Sequence, residues 1–209
     1  MKTILVSILS LFLLISCSSE NKKTIYGAGI GTAVGAGLGG IIGKEKGAII
    51  GGVIGGGLGA YVGNRMDKQA KELEKIAETK RTEQGIVTKL KSDILFDTGK
   101  ANLKPAAKDN LKQMAEIMKK YPENVLMIKG FTDNTGSSAV NEILSQKRAE
   151  AVRNQLIASG LKDTAISTQG LGPALPVAKN DTAQGRAKNR RVEIEISADA
   201  SKLPKEKKS

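Results

Sequence analysis

The chain has 209 residues, with 33 Lys and Arg against 21 Asp and Glu, a formal net charge of +12, no histidine and one cysteine. The missing histidine removes every Ser-His and Cys-His mechanism and, with a lone cysteine, most metal sites, so no metal and no cofactor are expected. Aromatics make up only 3% and no DNA- or RNA-reading motif is present, so the charge points to an anionic envelope surface rather than to nucleic acid.

The N-terminus sets the expected compartment. Lys2 precedes an apolar run from Ile4 to Ile15, followed by Ser16 and Cys17. This is the pattern of a secretory signal over 1–16, too short for a comfortable membrane span. Leu14-Ile15-Ser16-Cys17 resembles the bacterial lipobox. That resemblance implies cleavage before Cys17, diacylglycerol on its thiol and a further acyl chain on its amine. Several chains anchor durably, because each buried methylene adds about 0.8 kcal/mol. The bland alternative is a plain signal with an incidental cysteine. Ser18, standing where an Asp would retain the chain in the inner membrane, resembles an outer-membrane address. Residues 17–25 then read as a short, lipidated polar tether.

A glycine array follows over 26–63. Glycines stand at 27, 31, 35, 39, 43, 47, 51, 55, 59 and 63, with Ile, Val, Leu and Ala between them. On a helix, spacing by four lines up a groove of bare backbone, where a second helix approaches closely. Lys44-Glu45-Lys46 divides the run into two arms, 26–43 and 47–63. The array resembles glycine-zipper segments and predicts a helical hairpin that inserts in the membrane or self-associates. A flexible linker is the alternative, although linkers favour Ser over Ile and Val between glycines.

Residues 64–84 are charged, with Met66, Ala70, Leu73 and Ala77 at helical spacing. This predicts a solvated helical linker, about 30 Å long if fully helical. The folded domain is expected over 85–197. Strands are predicted near 86–96, 124–131, 165–171 and 190–196. Helices are predicted near 104–120 and 138–159, with a helical turn near 182–188. Pro105 opens the first helix, Pro122 follows it and Gly160 stops the second. The fold class is therefore α+β: a two-layer βαβαββ domain with both helices on one face of a mixed sheet. The basic tail 198–209 reads as disordered.

The segment from Gly130 to Val152 carries the chemistry. Asp133, Asn134, Thr135 and Gly136 are turn residues after a strand. Ser137 or Ser138 caps the helix that follows, and Val140, Leu144, Ala151, Val152, Leu156 and Ile157 form its apolar side. Asn141 and Arg148 are seven positions apart, two turns along one face. A carboxylate and a guanidinium facing one cleft suit a zwitterion: Asp takes the ammonium, and Arg grips the carboxylate with two parallel bonds. Taken singly, Asp133 is an ordinary turn cap and Arg148 a surface ion-pair partner.

This region resembles the OmpA C-terminal-like peptidoglycan-binding family, which includes Pal lipoproteins and flagellar stator proteins. The resemblance runs from Ile94-Leu95-Phe96-Asp97-Thr98-Gly99 through Leu103, Pro105, Thr132-Asp133, Asn141, Leu144-Ser145 and Arg148-Ala149. It ends on Gly170-Leu171-Gly172, Pro176, Asn180, Thr182, Gly185-Arg186 and Asn189-Arg190-Arg191-Val192-Glu193-Ile194. It implies non-covalent binding of the diaminopimelate residue of the peptidoglycan stem peptide. Asp133 would take the ammonium and Arg148 the carboxylate, with Thr132 and Asn141 beside them and Arg190 at the pocket edge. Asp97 and Thr98 would line the pocket or serve as loop caps. Phe131 departs from the histidine or tyrosine usual before Thr-Asp, and is expected to shape the pocket.

The leading expectation is an outer-membrane lipoprotein whose periplasmic domain tethers the membrane to peptidoglycan, without enzymatic turnover. A zipper-driven membrane assembly with an auxiliary wall domain is the alternative. A wall-cutting enzyme would have only Asp93, Asp97 and Asp133 as acids, and no catalytic motif supports it.

Overall fold

The computed structural model describes residues 57–203. The signal, Cys17, the tether and the glycine array up to residue 56 lie outside the described residues. The element order is α1 (Gly57–Leu73), β1 (Glu78–Arg81), β2 (Ile86–Lys91), α2 (Ser92–Leu95), α3 (Pro105–Lys119), β3 (Asn124–Gly130), α4 (Ser138–Ala158), β4 (Ile166–Gly170), α5 (Ala183–Asn189) and β5 (Arg191–Ala198). Single 3-10 turns at Asp163–Ala165 and Ala200–Lys202 complete it.

The five strands form one sheet in the order β1-β2-β5-β3-β4. Only the β3–β4 pair is parallel; the other three pairs are antiparallel. The register stacks inward positions across the sheet. Ile86 and Leu126 both lie opposite Ile196, and Ile128 lies opposite Ile194. These side chains share one parity, so one face of the sheet is buried. Leu111, Met114 and Met118 of α3 and Ala149, Val152 and Leu156 of α4 cover that face. Burying each large side chain contributes about 1.5–3 kcal/mol. The other face carries charge, including the Lys129–Glu195 ion pair at 2.6 Å. The α+β two-layer expectation is thus met, with a mixed sheet and its helices on one face.

Residues 64–84 are not a solvated linker. α1 ends at Leu73, and Met66, Ala70 and Leu73 are 4%, 3% and 0% exposed in the same core. The Arg65 guanidinium lies 4.9 Å from the Tyr121 ring and donates to both oxygens of Glu123 at 2.5 and 3.1 Å. Residues 78–81 then add β1 to the edge of the sheet, paired with β2. A narrow apolar stripe among charges is sufficient when a ready-made face waits for it. The domain therefore starts well before residue 85.

Two further boundaries shift. β2 stops at Lys91, and Ser92–Leu95 winds into α2 instead of continuing a strand to 96. The first part of the tail is folded: β5 runs to Ala198, the Asp199 N–H donates to the Glu123 carbonyl at 2.8 Å, and Leu203 is buried. Among the described residues no helix is long and apolar enough to cross a membrane.

Candidate functional site

The site forms where β3 ends and α4 begins. Two glycines let α4 lie directly on the strand ends. A Cβ on Gly130 would sit 2.1 Å from the Ser145 carbonyl oxygen, and one on Gly170 2.5 Å from the Gln146 nitrogen. Beyond Gly130 the chain is pinned from both sides. The Phe131 N–H donates to the Arg191 carbonyl at 2.9 Å and the Thr132 N–H to the Gly172 carbonyl at 2.8 Å. Phe131 is 1% exposed, and the Arg191 guanidinium stacks 3.7 Å from its ring centroid. Its ring is buried beside the strand end that leads into Thr132 and Asp133.

Asp133 is both turn cap and charged site residue. Its Oδ1 accepts from the Thr135 N–H at 2.9 Å, and its Oδ2 accepts from Arg190 Nη1, also at 2.9 Å. Burial alone would push this carboxyl up; the bonds from Arg190 and Thr135 overcome it and hold the carboxyl below the usual carboxylate range. Ser137 caps α4 by accepting from the Val140 N–H. Asn141 donates from Nδ2 to the Thr135 carbonyl at 2.9 Å, which fixes the loop that carries Asp133. Thr132 is 4% exposed, and its Oγ1 has no partner among the described residues.

Arg148 lies on the same face of α4 as Asn141 and is 4% exposed. Its Nε donates to the Lys100 carbonyl at 3.0 Å, and its guanidinium lies 5.2 Å from the Phe96 ring centroid. Among the described residues its Nη groups have no protein acceptor and it forms no ion pair. Desolvation lowers its pKa, opposed by the carboxylates of Asp93 and Asp133 and reinforced by the Arg190 charge. A buried charge without a counter-ion is costly, and the guanidinium fork is shaped for a carboxylate.

Arg190 closes the other side. Besides Asp133 it holds Asp93, with Nε to Oδ1 at 3.2 Å and Nη2 to Oδ2 at 3.0 Å. Its hydrogen bonds to Asp93 and Asp133 raise its pKa. Its carbonyl accepts from the Ser92 N–H at 3.0 Å, which fastens α2 to the start of β5.

The structure thus brings Thr132, Asp133, Asn141, Arg148 and Arg190 together, with Asp133 paired to Arg190 and not to Arg148. Asp97 and Thr98 do not join them by side chain. Asp97 is exposed and its carboxylate faces Lys100 and Lys104, each at 3.6 Å. Thr98 is exposed as well. Their loop serves the site through the Lys100 carbonyl, with Gly99 at φ +71° making the turn. Asp93, which the sequence offered only as an acid for a wall-cutting enzyme, joins this cluster through Arg190. Ser92 and Asp93 open α2, which breaks the strand assumed to continue through them. Val140, expected on the apolar side of α4, is 63% exposed. At this end of the helix the inward face belongs to Asn141, Ser145 and Arg148.

Fold and geometry together define a two-layer α+β domain with a cluster of charged and polar side chains at the C-terminal end of β3. The OmpA family model matches residues 95–190, and the YMGG-like Gly-zipper model matches residues 1–67. The chain belongs to the OmpA family and carries a glycine-zipper segment ahead of that domain. It is 44% identical over 117 residues to "Probable lipoprotein YiaD" of Escherichia coli, covering 56% of this chain and 53% of that protein. It is 45% identical over 103 residues to "Peptidoglycan-binding protein ArfA" of Mycobacterium tuberculosis, covering 49% of this chain and 32% of that one. The chain therefore spans about half the length of YiaD and a third of ArfA. Among solved structures, the periplasmic domain of Helicobacter pylori MotB is similar with a TM-score of 0.54 and 31% identity, over 60% of this chain and 83% of that one.

Proposed function

We propose that this domain binds peptidoglycan non-covalently by holding the zwitterionic end of diaminopimelate in the stem peptide, and that the protein tethers the outer membrane to the wall. The observation that carries the reading is Arg148: an arginine only 4% exposed whose Nη groups have no acceptor, and which forms no ion pair, among the described residues. A ligand carboxylate supplies that counter-ion through two parallel bonds. Asp133, on the other side of the cleft, takes the ligand ammonium. Thr132 Oγ1 and the free Oδ1 of Asn141 are the neutral partners beside it. The peptidoglycan-binding name of a relative 45% identical over this region supports the same ligand.

Cys17 is the lipid attachment site in this reading, with the domain in the periplasm. The likeness to a lipoprotein and the Gly-zipper match over the N-terminal segment both support it. The module binds and does not turn over its ligand. Each contact is weak, and many tethers on one wall act together through effective concentration. The strict four-residue spacing of the array supports a second reading, that the zipper also drives self-association in the membrane. The test of the binding function is a pull-down on purified sacculi. Wild type is expected in the pellet and a folded Arg148→Ala variant in the supernatant; equal pelleting of both would reject the reading.

A further inference from the structure

One internal cation already occupies the carboxylate that the ligand needs. Arg190 Nη1 sits 2.9 Å from Asp133 Oδ2, on the carboxylate assigned to the ligand ammonium. Two cations crowded on one carboxylate repel one another. The same guanidinium also holds Asp93 through two bonds, at 3.2 and 3.0 Å. The bond between the Ser92 N–H and the Arg190 carbonyl holds the backbone that carries Asp93 against the backbone of Arg190.

Resting on the binding reading above, we infer that Arg190 is an exchangeable internal counter-ion and that Asp93 is the residue that receives it when the ligand ammonium engages Asp133. The charges close in both states. Without ligand, Arg190 is shared by Asp93 and Asp133, and Arg148 has no carboxylate partner among the described residues. With ligand, the carboxylate pairs with Arg148, the ammonium with Asp133 and Arg190 with Asp93. Arg190 gives up one bond and keeps two. Asp93 is a positioning residue: it touches Arg190, not the ligand, and sets affinity by determining how readily Asp133 is released. Its exposed side chain lets the Arg190–Asp93 pair remain in contact with water after the exchange, so no new burial is needed.

A double-mutant cycle on the full chain, titrated with meso-diaminopimelate by calorimetry, tests this. Asp93→Asn leaves Arg190 with Asp133 alone and is expected to weaken binding about tenfold, within the range of couplings in one ion-pair network. In an Arg190→Gln background, Asp93→Asn is expected to change affinity less than about twofold, because no cation remains to be relocated. Asp93→Glu, which keeps the receiving carboxylate, is expected to restore most of the affinity. An equal loss from Asp93→Asn in both backgrounds, or no loss in the wild-type background, overturns the exchange while leaving the ligand reading intact. No binding by wild type, or equal binding by wild type and Arg148→Ala, overturns the ligand reading and the exchange with it.

Discussion

Replacing Arg148 with Lys isolates the geometry of the proposed contact from its charge. Among the described residues the wild-type side chain spends only Nε on the protein, on the Lys100 carbonyl, and leaves its Nη pair for the proposed ligand. A lysine ammonium keeps the positive charge but cannot present two parallel donors in a plane. Losing one charge-assisted hydrogen bond costs about 1.5–3 kcal/mol, so Arg148→Lys should weaken binding by roughly ten- to over a hundredfold. Arg148→Ala removes the charge too, and loss of one partner of a buried pair costs about 2–5 kcal/mol, or roughly thirty- to several thousandfold. The folded state should hardly notice either change. The protein loses one hydrogen bond and a contact with Phe96, about 1–2 kcal/mol together, and in Arg148→Ala it is also relieved of a largely buried charge. Calorimetric titration with diaminopimelate, beside thermal melts of each variant, reads both sides. Arg148→Lys binding as tightly as wild type would refute the forked grip.

Three other outcomes follow from the structure. Leu73→Ala should destabilise the domain by about 2–5 kcal/mol in urea unfolding, since Leu73 is fully buried against the core; a change under about 0.5 kcal/mol would return α1 to the status of a linker. Asp133 has its pKa depressed in the folded state, so its stabilising pairing is complete above the ordinary carboxylate value near about 3.9 and is lost as pH falls through the lower folded value. Carboxyl resonances followed by NMR should show Asp133 titrating below the ordinary aspartate range, and titration above that range would contradict the pairing with Arg190. In the glycine array, Gly51→Leu should reduce crosslinking in membranes while Ile49→Leu leaves it unchanged; equal crosslinking would favour a plain linker.

The sequence was legible where local chemistry and packing agree. Pro105 opens α3, Ser137 caps α4, and the two-turn spacing of Asn141 and Arg148 puts both on one face, whereas Thr132, Arg190, Asp97 and Thr98 were pointed to only by the family resemblance. It misled where context outweighs local pattern. α4 buries Asn141, Ser145 and Arg148 and exposes Val140, because its first turns face a charged cleft and not the core. Periodicity is expected to fail in this way at a functional site. Met66, Ala70 and Leu73 were visible as a stripe, but nothing local says that a sheet edge and α3 stand ready to cover it. Asp93 was hidden for a similar reason. Its role depends on Arg190, which stands 97 positions away and meets it only across the fold.

The most direct measurement varies the ligand instead of the protein. A stem tripeptide containing meso-diaminopimelate ends its third side chain in both an ammonium and a carboxylate, whereas its lysine analogue ends in an ammonium alone. Titrated into the wild-type protein, the first should bind and the second should be weaker by about thirtyfold or more, since the Arg148 guanidinium would be left without its counter-ion. Equal affinity for the two peptides would contradict the account.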